Sequence, residues 1–162
     1  MAIKSFDPQK SIYRAATHPS GDRDQWNVKL TNQIFSWKTS MDRIQIIRNG
    51  LPYEAIEAIS QRANLPVRRL LQLLNIPQTT YNKKKRSQEN LSGNDTEKLL
   101  LLAEILDYGL EVFNQESQKF YSWLKKPNQS LGNVAPVSLF DSQTGIQEVK
   151  NCLNRLEYGN MA

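Results

Sequence analysis

The segment from Lys98 to Asn114, KLLLLAEILDYGLEVFN, carries apolar side chains on almost every face that a helix would present. Leu99, Leu102, Leu106, Leu110 and Phe113 fall on one stripe at helical spacing, and Leu100, Leu101 and Ile105 widen it on both sides. A helix this apolar around its circumference has to be covered from more than one direction. Two arrangements do this. A second copy of the chain can lie against it, which makes a homodimer and is the arrangement we expect, or two units of one chain can enclose it. Ser92 opens the helix, with Asp95 at the reciprocal position of a capping box and Glu97 also in the first turn, where acidic groups suit the helix dipole.

The remaining patterns are also helical. Ser40 can cap a helix that carries Ile44 and Ile47 on one face and stops at Asn49-Gly50. Pro52 suits the first turn of a second, with Ile56, Ile59 and Ala63 at helical spacing, and Asn64 and Pro66 read as the cap and first turn of a third. Beyond the long helix, Phe120, Tyr121, Trp123 and Leu124 make a short aromatic helix ended by Pro127, Trp123 facing either the core or a partner. A loop over Asn128 to Val134 follows, then one helical turn at Pro136 to Phe140. Thr144 and Gln147 form a capping box for a last helix with Ile146, Val149, Leu153 and Leu156 on a stripe, which Gly159 ends. The expected fold is all-α: a helical bundle over 39–115, joined by the long apolar helix to a small helical unit over 116–162 that packs on it. Residues 1–38 show no sustained period, yet Trp26, Phe35 and Trp37 are too apolar for a solvated tail, so a partly ordered arm is expected there.

The 162 residues carry a formal charge of +5, and its distribution is uneven. Between 66 and 90 the chain has Arg68, Arg69, Lys83, Lys84, Lys85 and Arg86 against Glu89 alone, whereas from Pro127 onward Lys150 and Arg155 face Asp141, Glu148 and Glu157. One region thus suits a polyanion and another a different partner. No run of about 18 apolar residues and no signal-peptide core is present, so no membrane insertion and a cytoplasmic location are expected. Cys152 and His18 are the only cysteine and histidine, which leaves no intrachain disulfide, no ordinary zinc site and no histidine triad. Cys152 reads as packing and His18 as a solvated loop residue. We therefore expect no enzyme, no metal and no cofactor.

The window Val67 to Arg86 carries the functional signal. Leu70, Leu71 and Leu74 form an apolar stripe, Asn75-Ile76-Pro77 a tight turn, and Gln78 starts a short helix with Tyr81 facing inward. This is helix-turn-helix spacing, in which a brief turn crosses the helices steeply and projects the second toward a major groove. Gln78, Thr79, Thr80 and Asn82 offer amides and hydroxyls for base edges, and Lys83, Lys84, Lys85 and Arg86 offer cations for phosphates. Lys84 stands where a further apolar residue is usual, which keeps an ordinary helical hairpin with a basic end as the alternative.

The stretch WLKKPNQSLGNVAPVSLFDSQTGIQEVKNCLNRLEYG, Trp123 to Gly159, resembles the toxin-binding domain of the Xre/MbcA/ParS antitoxins. The resemblance lies in Trp123-Leu124, Pro127-Asn128, Leu131-Gly132, Pro136, Asp141 to Gly145 and the ending Arg155 to Gly159, with departures at Asn133 and Ser142. Upstream, Ile56 to Phe113 resembles the Xre-like helix-turn-helix domain, so the likeness covers roughly residues 40 to 160 and leaves the residues before Lys38 aside. It implies an antitoxin that binds a RES-domain toxin acting on NAD or transferring ADP-ribose and that represses its own operon by binding operator DNA; the homodimer expected from the apolar helix would then face a roughly palindromic operator. By position it also implies that Arg155, Glu157, Tyr158, Gly159, Asn160, Met161 and Ala162 reach the toxin, against the plainer reading that Leu153 and Leu156 are core and Arg155 and Glu157 solvated. A free-standing transcriptional regulator is the alternative.

Overall fold

The computed structural model of the chain describes residues 25–159. His18 and the tail Asn160, Met161 and Ala162 lie outside the described residues.

Strands β1 (Trp26–Lys29) and β2 (Ile34–Trp37) form an antiparallel hairpin within the segment expected to be an arm. Alternation explains it. Trp26 pairs with Trp37 and Val28 with Phe35, so these four share one face, while Lys29 and the 62% exposed Ile34 share the other. Val28 and Trp37 are buried, and the hairpin is pinned by polar contacts as well. The Trp37 indole N–H donates to Glu104 Oε1 at 2.8 Å, and Arg62 donates to the Asn27 carbonyl at 2.8 Å and to the Asp107 carboxylate.

Helix α1 (Ser40–Asn49) is capped one residue earlier than the sequence suggests. Thr39 accepts from the Asp42 amide at 3.1 Å and the Asp42 carboxylate accepts from the Thr39 amide at 2.9 Å, completing a capping box. Pro52 is not in the first turn of α2 (Ala55–Arg62). It bridges to Asn90, while the Leu91 amide donates to the Leu51 carbonyl at 2.7 Å. Gly50, at φ +77°, allows this approach, since a Cβ there would lie 2.5 Å from the Leu91 carbonyl oxygen. Asn64 takes positive φ in the connector and Pro66 itself is the cap residue of α3 (Val67–Leu74), which is followed by α4 (Gln78–Arg86).

The leucine-rich segment becomes α5 (Gly93–Val112), with the Ser92 hydroxyl accepting from the Asp95 amide at 3.2 Å. Leu99, Leu102 and Leu106 are each at most 1% exposed, and Leu100, Ala103 and Ile105 are buried with them. Leu110 and Phe113 are half-buried against the same core. The cover comes from one chain: α1, α2 and β1 pack on α5 from the N-terminal side, and α6 (Ser117–Lys125) and α7 (Gln143–Glu157) from the other. The apolar circumference therefore gives no separate reason for a second protomer. Buried Thr96 fits because its hydroxyl accepts the Leu51 amide at 3.0 Å.

After α6 the chain makes 3-10 turns at Gln129–Leu131 and Pro136–Asp141. Ser142, rather than Thr144, caps α7, its hydroxyl accepting from the Gly145 amide at 3.0 Å. Gly145 is required by contact: a Cβ would collide with the Leu139 carbonyl oxygen of the preceding turn. Ile146, Val149, Cys152 and Leu153 are buried on α7, whereas Leu156, expected on that stripe, is 36% exposed. The fold is helical apart from the small hairpin, and among the described residues no helix is long and apolar enough to cross a membrane.

Candidate nucleic-acid interface and partner-facing tail

Helix α3 ends in a left-handed Asn75 at φ 56°, and the Ile76 amide donates back to the Leu71 carbonyl at 2.9 Å. Pro77, at φ −62°, then starts α4 in a new direction. The helix-turn-helix reading of this window thus has its turn chemistry in place.

One side of α4 is fastened to the bundle. Tyr81 is 5% exposed and its hydroxyl donates to Glu57 Oε1 at 2.8 Å. Lys85 donates to the same carboxylate and sits 5.8 Å above the Tyr81 ring, and the Tyr53 ring lies 6.4 Å away. The Lys85 and Tyr81 hydrogen bonds hold the Glu57 carboxyl below the ordinary glutamate range, while burial, then Glu57, push the Tyr81 phenol up. Lys84, at the position where an apolar residue was expected, donates to Glu89 at 2.8 Å, and the Ser87 hydroxyl donates to the other Glu89 oxygen at 2.6 Å. These bonds, Lys84 foremost, lower the Glu89 pKa, and Glu89 raises that of Lys84.

The opposite side is free. Gln78, Thr79, Asn82, Lys83 and Arg86 are exposed and Thr80 is half-buried. Gln78 and Asn82 join through one amide hydrogen bond at 3.1 Å. Lys83 and Arg86 have no ion pair among the described residues. The structure therefore divides the basic quartet. Lys83 and Arg86 face solvent, and Lys84 and Lys85 lean on carboxylates of the chain itself. Glu57 was not singled out from sequence, because a carboxylate 28 residues from Lys85 leaves no local signal.

Replacing Glu57 by glutamine removes the charge that holds Lys85 while leaving Tyr81 an acceptor. We expect a loss of about 0.2–1 kcal/mol in unfolding free energy, the usual scale for an ion pair as exposed as this one, measured by urea denaturation at pH 7. The pH dependence has a definite sign. The folded pKa of Glu57 lies below its ordinary value of 4.5, so its contribution is full above 4.5 and is lost as pH falls through the folded value. Wild-type stability should fall over that acid window, and E57Q should show a shallower decline.

At the other end, Tyr108 on α5 reaches α7, its hydroxyl shared between Asn154 Oδ1 at 2.6 Å and the Glu157 carboxylate. Glu157 and Arg155 are half-buried, so neither is simply solvated. Tyr158 is 54% exposed, and Gly159 follows at φ +70°. Leu156 and Tyr158 thus present apolar surface at the end of a helix locked by Tyr108. Trp123 sits in the aromatic core, 5.7 Å from the Phe113 ring. Cys152 is fully buried with the Asn128 amide 3.6 Å from its sulfur, and burial pushes its thiol pKa up. Among the described residues no cluster of His, Cys, Asp or Glu could hold a metal ion.

Comparison with known families assigns both halves. Residues 42–104 match the antitoxin Xre-like helix-turn-helix domain, and residues 109–159 match the antitoxin Xre/MbcA/ParS C-terminal toxin-binding domain. The antitoxin Xre of Photorhabdus laumondii is 24% identical over 70% of this chain and 77% of its own length. That of Yersinia enterocolitica is 24% identical over 72% and 78%. A protein of a Sphingobium species named Prs ADP-ribosylating antitoxin is 28% identical over 75% and 82%. With a DNA-reading domain and a toxin-binding domain in tandem, and matches to families of antitoxins rather than enzymes, the chain belongs to the Xre family of antitoxins of toxin–antitoxin systems.

Proposed function

We propose that this antitoxin neutralises a RES-domain toxin through the end of α7 and the residues after it, and represses its own operon through α4. The observation that carries the toxin half is the construction of that end: Tyr108 fixes Asn154 and Glu157, so Leu156 and Tyr158 are held out on a rigid base. A helix held this way can deliver Arg155, Glu157, Tyr158, Gly159 and the tail Asn160 to Ala162 into a concave site, where an aromatic hydroxyl can take hydrogen bonds meant for a nucleotide. The name of the Sphingobium relative, which speaks of ADP-ribosylation, supports a partner that works in ADP-ribose chemistry.

The DNA half rests on the free side of α4, with Gln78, Thr79, Thr80 and Asn82 toward base edges and Lys83 and Arg86 toward phosphates. Two protomers on a palindromic operator remain part of the proposal, carried by the geometry of two-fold operators rather than by α5.

Coexpression with the reading frame next to this gene tests the proposal. The expected outcome is a copurifying RES-domain protein whose consumption of NAD is suppressed in the complex. A chain that purifies alone and still binds its promoter is instead a free-standing homodimeric regulator.

A further inference from the structure

Helix α3 carries cations that the helix-turn-helix reading leaves unused. Arg68 and Arg69 are exposed, and so is Gln72. At spacings of three and four residues the three side chains share one side of the helix, opposite Leu70, Leu71 and Leu74, which are at most 4% exposed. Neither arginine side chain has an ion pair or hydrogen bond among the described residues. This differs from Lys84 and Lys85, which are held by Glu89 and Glu57.

A shallow groove of about 520 Å³ joins this side to the start of α4, lined by Arg68, Leu71, Gln72, Ile76, Pro77 and Gln78. Arg68 and Gln72 come from α3, and Gln78 is the first residue of α4. The groove therefore connects the arginine side of α3 to the start of α4.

We propose that α3 grips the DNA backbone: Arg68 and Arg69, with Gln72 beside them, contact phosphates along the edge of the groove that α4 enters. The inference rests on the reading of α4 as a DNA reader. It moves two phosphate contacts from Lys84 and Lys85, whose charges are already met within the chain, to Arg68 and Arg69. An arginine meets a phosphate with paired N–H donors, and such contacts fix register without reading sequence.

The test is the salt dependence of binding by the full-length chain to two duplexes of equal length, one carrying the sequence upstream of its gene and one unrelated. R68A/R69A should melt like the wild type, because both side chains are exposed and unpaired. On both duplexes the slope of log affinity against log salt should become shallower by roughly 1.8, at about 0.9 for each phosphate that is no longer neutralised. The ratio of affinities for the two duplexes should not change. K84A/K85A should alter the slope less than R68A/R69A does.

A wild-type slope in R68A/R69A, together with a reduced one in K83A/R86A, would remove α3 from the DNA and leave α4 there. A changed affinity ratio in R68A/R69A, or a larger slope change in K84A/K85A, would overturn the assignment as well. If the wild-type chain shows no salt-dependent binding to either duplex, the DNA reading of α4 fails first and this inference falls with it.

Discussion

Replacing Phe120 by alanine should lower the free energy of unfolding by about 3–5 kcal/mol, read from urea denaturation of the whole chain. The ring is fully buried and sits 5.6 Å from Phe113, 6.0 Å from Tyr121 and 6.3 Å from Trp123, the last nearly parallel to it. It also lies directly on Gly109 of α5, where any Cβ would run into the ring. Loss of the ring opens a void that backbone on both sides holds apart. Against a total stability of about 5–15 kcal/mol, the change removes a large share of what the chain has.

Gly109 provides the control. In the wild type, G109A should cost about 1–3 kcal/mol by overpacking. In the F120A background the same substitution meets no ring and gains about 0.5–1 kcal/mol, the ordinary advantage of alanine over glycine inside a helix. The sign of G109A thus reverses with residue 120, the coupling expected of two residues in contact. Equal effects of G109A in both backgrounds would contradict the packing described.

Removing Tyr158 to Ala162 should abolish most of the rescue from a coexpressed toxin and leave DNA binding unchanged. The deletion begins after the last residue that Tyr108 holds, so the α5–α7 contact stays intact and the melting temperature should move little. It removes the exposed tyrosine, which is the side chain on this end best suited to enter a partner's cleft. Tight interfaces concentrate their energy in a few aromatic and arginine anchors, where one truncation costs 2 kcal/mol or more, about thirtyfold or more in affinity. Y158A alone should therefore reproduce a large part of the deletion. If Y158A rescues fully and the deletion also rescues fully, the tail takes no part in neutralisation.

The elements that were legible in the sequence are those with a long period. The α5 stripe has Leu99, Leu102 and Leu106 in register over several turns, and the α3–α4 pair has leucines on one side of Asn75-Ile76-Pro77 and Tyr81 on the other. The hairpin was not legible as such. Its strands are four residues each, so the alternation of Trp26 with Val28 and of Phe35 with Trp37 repeats too few times to stand out. Caps were displaced where neighbouring residues offer the same chemistry. Thr39 and Ser40 can both accept an amide, as can Ser142 and Thr144, and the choice depends on where the backbone turns.

The candidate sites were legible by residue type and not by state. Sequence shows four adjacent cations at 83–86 but not that Glu57 and Glu89 neutralise the middle two, since those partners are set by packing. The same holds for Glu157, whose partner Tyr108 lies 49 residues away. The α5 leucines carried the opposite difficulty. Their pattern states that they are covered but not by what, and the cover turned out to be the chain's own two halves and the hairpin.

The most direct test of a chain with two separate binding ends is a pair of variants scored for both activities in cells carrying the neighbouring toxin gene and a promoter reporter. K83A/R86A should lose repression and still rescue growth, whereas the chain lacking Tyr158 to Ala162 should repress and fail to rescue. If each variant loses both activities while remaining folded, the two ends do not act separately and the account is wrong.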